Sequence, residues 1–422
     1  MTGRGFWTQT GLLAAGQGVY VACQWGMLIA LARLAGPAAV GRFALALAVT
    51  APIMLLSNLA LRSALVTDVA GEHGVRRYLA LRAGTTVLGL LAIGIVVALL
   101  PLGRADALLV LSVALAKACE NQSDILYGVL QREERFAPIA TSLAARGVLG
   151  LLAFVLGIRA SGDVALGALL LAAAWAAVLV AFDRPACARW RRAGPPAGPP
   201  RLWLRLARQV LPLGIAGALI TLNASLPRYV IADHLGAAQL GRFAAMAYFV
   251  AAGMMLVTVL GQAASPRLAR AAAVRDRRAF AQLMATIVLP SAALGALGIL
   301  LAVFLHRDVM TLFYGAAFAA DSSLLTWVMA AGLASYVAAC FGYGITALRR
   351  FRITPWLYGV SCALTLVGGI AAAPAYGLDG IVIAWAGALA CTMLLTGAVN
   401  VLGCAAAGQP TPPGLLPRGA LR

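Results

Sequence analysis

Gly36-Pro37-Ala38-Ala39-Val40-Gly41-Arg42-Phe43-Ala44 returns as Gly236-Ala237-Ala238-Gln239-Leu240-Gly241-Arg242-Phe243-Ala244, 200 residues later and without a gap. Either copy alone reads as a short turn, its glycines permitting tight geometry and its Arg snorkelling to headgroups. The repetition carries more, because self-similarity at a fixed offset marks a duplicated unit. Working outward from both copies, apolar stretches long enough to cross about 30 Å of hydrocarbon recur along the chain. They lie near 11–35, 43–66, 82–100, 107–130, 139–158, 164–182, 210–232, 243–264, 283–305, 321–346, 356–373 and 380–403, about 12 spans. The first copy joins spans 1 and 2 and the second joins spans 7 and 8, so each half has six. Six is even, so the halves share one orientation and are related by an axis along the membrane normal.

The expected fold is therefore an all-α integral membrane protein of two six-helix bundles related by a pseudo-twofold axis. Residues 1–182 form the first bundle, 183–209 a cytoplasmic Arg/Pro-rich linker, 210–403 the second bundle and 404–422 a cytoplasmic tail. The linker centre, Gly194-Pro195-Pro196-Ala197-Gly198-Pro199-Pro200, is a composition that resists regular structure. Trp190, Trp203 and the arginines beside it suit anionic lipid headgroups.

Composition agrees. The 422 residues are 62% hydrophobic and 11% charged, less than half the roughly 25% charge of a soluble domain, and mean hydropathy is +0.90. An ordinary soluble enzyme is excluded. Lys and Arg number 33 against 14 Asp and Glu, a net charge of +19. In a polar chain that excess would suggest nucleic acid, but a chain this apolar cannot expose the surface that partner needs. The charge is instead read by position: 23 basic residues fall in loops on one side, 6 on the other, and 4 lie within spans. The richer side is cytoplasmic by the positive-inside rule, which places both termini in the cytoplasm. The first apolar run, preceded only by Arg4, exceeds the length of a signal-peptide core and reads as a span. The 7 Cys are scattered singly without a CxxC or Cys/His spacing, so no metal, disulfide framework or cofactor is expected.

Ionisable residues inside spans cost at least about 2.5–3.5 kcal/mol each near the helix centre, so they face a cavity or a partner. Lys117, Glu120, Asn121 and Asp124 fall at i, i+3, i+4 and i+7, one face of the fourth span. Lys117 and Glu120 can neutralise each other with no ligand involved. Asp124 then lacks an intrahelical cation, which makes it the better candidate for a proton or substrate contact. Arg62, Arg146 and Arg228 have no intrahelical carboxylate partner; they either line a cavity, snorkel or pair structurally. Arg228 follows Pro227 and precedes Asp233 in a span also interrupted by Asn223, the kind of interruption that points to a binding site. The four embedded cations, Arg62, Lys117, Arg146 and Arg228, against three anions, Glu120, Asp124 and Asp233, suit an anionic substrate such as a phosphate or diphosphate. Substrate contacts are therefore assigned to the cations and coupling or titration to the carboxylates.

Leu59-Ala60-Leu61-Arg62, Thr67-Asp68, Tyr78-Leu79-Ala80-Leu81-Arg82 and the run from Lys117 to Gln131 resemble the polysaccharide-biosynthesis membrane proteins. These are the oligosaccharide-flippase branch of the multidrug/oligosaccharidyl-lipid/polysaccharide exporter (MOP) superfamily. Leu312-Phe313-Tyr314-Gly315, Phe318 and Tyr376-Gly377-Leu378-Asp379-Gly380 resemble its outward-facing connections. The resemblance implies two bundles forming a V around a central cavity in the bacterial inner membrane. It further implies flipping of a polyprenyl-diphosphate-linked oligosaccharide for O-antigen, capsule or exopolysaccharide synthesis, beside polymerase or glycosyltransferase partners. By that analogy Arg62 and Lys117 face the cavity from the first half and Arg228 from the second.

Two other activities compete. A cation-coupled drug exporter of the same superfamily would favour an acidic cavity, which the charge count opposes. A membrane glycosyltransferase or glycan polymerase needs a soluble domain or a large outer loop with catalytic groups. The outer connections here are short, and the three His, at 73, 234 and 306, lie near span ends. No catalytic residue is assigned.

Overall fold

A helix apolar on all its faces has only core or lipid to lie against, and in lipid its backbone groups must be satisfied within the segment. The chain obeys both constraints. In a computed structural model describing residues 3–68, 74–192, 199–350 and 353–406, no strand occurs among the described residues. The helices are α1 (Gly3–Asn58), α2 (Leu61–Thr67), α3 (Val75–Leu99), α4 (Arg104–Arg132), α5 (Phe136–Ser161), α6 (Val164–Val178), α7 (Arg184–Ala186), α8 (Ala188–Arg192), α9 (Pro200–Ala273), α10 (Arg277–Tyr314), α11 (Leu325–Ala347) and α12 (Thr354–Ala406). Among the described residues, eight helical stretches are long and apolar enough to cross a membrane. Of α4, equally long, Lys117, Glu120 and Asp124 break the apolar run. Leu88, Phe304 and Trp356 expose 65%, 73% and 77% of their surface, as expected where lipid rather than water is the solvent.

α1, α9 and α12 span 56, 74 and 53 residues, and each has one glycine outside helical geometry: Gly36 (φ 74°), Gly236 (φ 80°) and Gly377 (φ 55°). At Gly36 the chain turns back. Tyr20 reaches Glu120 while Met54 accepts from Asn121, adjacent residues of α4. In a straight helix positions 20 and 54 would stand about 50 Å apart; folded at Gly36, midway between them, they lie side by side. α12 behaves likewise. A Cβ on Gly369 would lie 3.7 Å from Ile381, on the far side of Gly377.

The two copies of the repeated stretch meet. A Cβ on Gly41 would fall 1.7 Å from the Ala237 carbonyl oxygen, and one on Gly241 would fall 1.8 Å from the Pro37 carbonyl oxygen. The contact is reciprocal, as a pseudo-twofold axis requires, and only glycine admits it. The repeated arginines have equivalent partners too: Arg42 lies 3.8 Å from Asp106 at the start of α4, and Arg242 lies 2.6 Å from Asp321 just before α11. They brace the hairpins against a neighbouring helix rather than reaching for headgroups.

Three sequence expectations change. The third span, expected from 82, begins at Val75 because Tyr78 and Leu81 are held in an apolar cluster with Leu61, Leu65 and Ile125. Arg82, counted among the cytoplasmic loops, is thereby two turns inside a helix and 0% exposed. The linker flanks are helical: Pro200 opens α9, where a missing N–H costs nothing, and Leu206 and Val210 pack into the cluster of the first half. Asp183, placed at the linker boundary, closes a π-helical turn at Leu179–Asp183 and is 1% exposed. The linker centre at 194–198 and the tail from 407 lie outside the described residues.

Candidate functional site

α1 stops at Asn58 because Leu59 and Ala60 take left-handed geometry (φ 50° and 51°). Side chains rarely accept such strain without support, and it gathers at functional sites. The chain restarts as α2 with Arg62 aimed across at α4. Gly128 makes room for it: a Cβ there would stand 3.2 Å from Arg62 Cγ.

The α4 face predicted from spacing is the centre of the arrangement. Lys117 Nζ lies 2.7 Å from Glu120 Oε2, and the Tyr20 hydroxyl donates to Glu120 Oε1 at 2.8 Å. One turn on, Asp124 lies between two guanidinium groups, Arg62 Nη1 at 3.1 Å from Oδ1 and Arg82 Nη2 at 3.2 Å from Oδ2. Arg62 also donates through Nε and Nη2 to Gln131 Oε1 at 3.1 and 2.9 Å. The side chains of Arg62, Lys117, Glu120 and Asp124 are 25–32% exposed, so these four groups form one partly open cluster. Counting Arg82, three cations face two anions there.

Arg146 is not on that open face. It is 2% exposed, its guanidinium 4.8 Å from the Trp175 ring centre, 5.8 Å from Tyr20 and 6.0 Å from Tyr127. The only hydrogen bond of its guanidinium among the described residues runs from Nη1 to the Tyr127 hydroxyl at 3.2 Å. Arg146, expected among the substrate contacts, lies in this arrangement apart from the open groups, its cation held by aromatic faces. Tyr127 in turn is 2.6 Å from Ser142, and Asp183 accepts from Ser142 at 2.5 Å and from Ser123 at 2.6 Å. The direction of the protons follows, because an ionised carboxylate only accepts and a guanidinium only donates. Arg146 donates to Tyr127, Tyr127 to Ser142, and Ser142 to Asp183. Tyr20 joins this chain to Glu120.

In the second half, Arg228 has a buried Nε with no hydrogen-bond partner, and no ion pair to it occurs among the described residues. Asp233 is 83% exposed, three residues before the Gly236 turn, beside His234 at 3.3 Å. The structure places it at the end of the helical segment that the Gly236 turn closes, and no ion pair joins it to the α4 cluster among the described residues.

The folded helix α1 of the first half is tied to the end of α10 and to α9 in the second. Trp25 Nε1 donates to the Tyr314 hydroxyl at 2.9 Å and stacks on Phe313 at 4.9 Å. Arg33 donates to the Leu312 and Phe313 carbonyls, and the Tyr229 hydroxyl donates to the Ala48 carbonyl.

Spacing alone missed Tyr20, Arg82, Tyr127, Gln131 and Asp183. Tyr127 and Gln131 stand at i+3 and i+7 from Asp124 and extend its face, a signal that was present. Arg82 and Asp183 come from other helices and carried none.

Residues 6–272 match the polysaccharide biosynthesis protein family. The capsular polysaccharide biosynthesis protein CapF of Staphylococcus aureus is 24% identical over 369 residues, 85% of this chain and 90% of that one. Among solved structures, the lipid II flippase MurJ in an inward closed conformation superposes with a TM-score of 0.70 at 12% identity, covering 94% of this chain and 89% of that one. A MOP superfamily transporter from Pyrococcus furiosus gives 0.68 at 13% identity, covering 96% of each chain. The fold is thus that of MOP-superfamily transporters.

Proposed function

The chain belongs to the polysaccharide biosynthesis protein family, and from that premise we propose that it flips a polyprenyl-diphosphate-linked oligosaccharide across the bacterial cytoplasmic membrane for surface polysaccharide synthesis. It acts as a transporter and not as an enzyme. Each helix folded at Gly36, Gly236 or Gly377 counts as two passes and α4 as one, which gives twelve, six to each half, with both termini cytoplasmic. The halves rock about the repeat axis in alternating access, and the glycan and diphosphate cross between them while the polyprenyl tail stays in lipid.

The observation that carries the reading is the open cluster on α4, where guanidinium and ammonium groups exceed carboxylates at helices too apolar to tolerate idle charge. Such a site suits the diphosphate, which guanidinium grips with paired donors. Arg62 and Lys117 bind it from the first half and Arg228 from the second. Glu120 and Asp124 exchange contacts with the cations as the halves move. Replacing Arg62, Asp124 and Arg228 together by Ala is expected to abolish glycan export in cells at normal protein level; unchanged export would remove the reading.

A further inference from the structure

Asp124 is the one carboxylate between Arg62 and Arg82, so that a −1 group holds two +1 groups together inside an apolar bundle. The balance is poor on both sides. Arg82 is 0% exposed, yet its Nε and Nη1 have no hydrogen-bond partner. Arg62 directs two further donors at the neutral amide oxygen of Gln131. A buried guanidinium with unmet donors is costly, and it persists where something else supplies the missing acceptors. Those donors exceed what one carboxylate satisfies, and they match the several oxygens and higher charge of a diphosphate. The side chains of Asp124 and Arg62 are 25% and 32% exposed while that of Arg82 is 0% exposed, so the exposed part of this group is the place that Asp124 now holds.

We propose that Arg82 is a substrate-binding residue and that Asp124 is an internal stand-in for the substrate, occupying the place of a phosphoryl group between Arg62 and Arg82 until a diphosphate displaces it. This inference rests on the flippase reading for the substrate class and adds both a residue and an order of events. Displacement breaks the two ion pairs from Asp124 to α2 and α3 and leaves the Arg62–Gln131 bonds in place, so binding weakens the tie among the three helices as the substrate arrives. A static clasp would predict the opposite: that Asp124 only helps the arginines to hold their places.

The test uses the full chain in lipid nanodiscs, titrated with inorganic pyrophosphate by calorimetry. Asp124→Asn keeps the shape and removes the competing charge; it is expected to bind at least tenfold more tightly than the native protein. Arg82→Gln is expected to bind at least tenfold more weakly, and Arg82→Gln combined with Asp124→Asn to lose the gain of the single Asn variant. Should Arg82→Gln fail to fold, the Asn variant alone decides. Binding by Asp124→Asn that is equal or weaker, binding by folded Arg82→Gln equal to native, or no pyrophosphate binding by the native chain would each overturn the inference. Glycan export is measured separately, so tight binding by the Asn variant without any export by the native chain would sink the flippase reading and leave the anion site standing.

Discussion

Arg146 shows how a buried charge is made tolerable without a direct ion pair. Three aromatic rings surround the cation, and its charge is relayed through Tyr127 and Ser142 to the Asp183 carboxylate. Removing one end leaves the other uncompensated, which costs about 3–5 kcal/mol for a buried pair. Arg146→Met and Asp183→Asn are each expected to lower the thermal unfolding midpoint in detergent strongly, and the double variant by clearly less than the sum. Additive losses would show that the relay does not couple the two. The same residues mark the limit of reading a helix by its period. Spacing at i, i+3, i+4 and i+7 found the polar face of α4, because those neighbours belong to one helix and the geometry of one helix is fixed by sequence alone. Arg82 and Asp183 meet that helix only through packing, at positions that looked like a loop and a linker.

At the scale of elements, glycine sets the layout. Gly36 stands at φ 74° and ψ −176°, a region essentially closed to side chains, so Gly36→Ala is expected to cost about 1–3 kcal/mol of stability. Gly94→Ala, in the middle of α3 with open space where its Cβ would lie, serves as the control and is expected to be neutral or slightly stabilising because alanine favours helix. Equal effects of the two, measured by thermal unfolding, would remove the hairpin argument. The repeat was legible here because a turn of fixed length must keep its glycines wherever it recurs. The helical flanks of the linker were not, since Pro and Arg in number argue for irregular chain unless one knows that Leu206 and Val210 have an apolar cluster of the other half to enter.

Across the whole molecule, the two halves approach each other where Gly41 and Gly241 leave backbone against backbone. Replacing either by Val drives a side chain into a carbonyl oxygen, and either change is expected to reduce glycan export at least tenfold at normal protein level. Gly94→Val, on an open surface, is expected to leave export near native. Export unaffected by Gly41→Val and Gly241→Val would mean that this approach is not needed during transport. The overall charge pattern was legible because lipid sorts arginine by side of the membrane; which arginines turn inward was not, since that depends on where neighbouring helices end.

The reciprocal contact of positions 41 and 241 is of the kind that a symmetric dimer makes with its own copy, one patch serving as both surfaces. A change at that patch in one half leaves its opposite number facing an unaltered mate. The two halves can therefore diverge freely along their polar faces, where α4 carries a charge cluster and the second half a lone Arg228, but at this seam they remain bound to vary together.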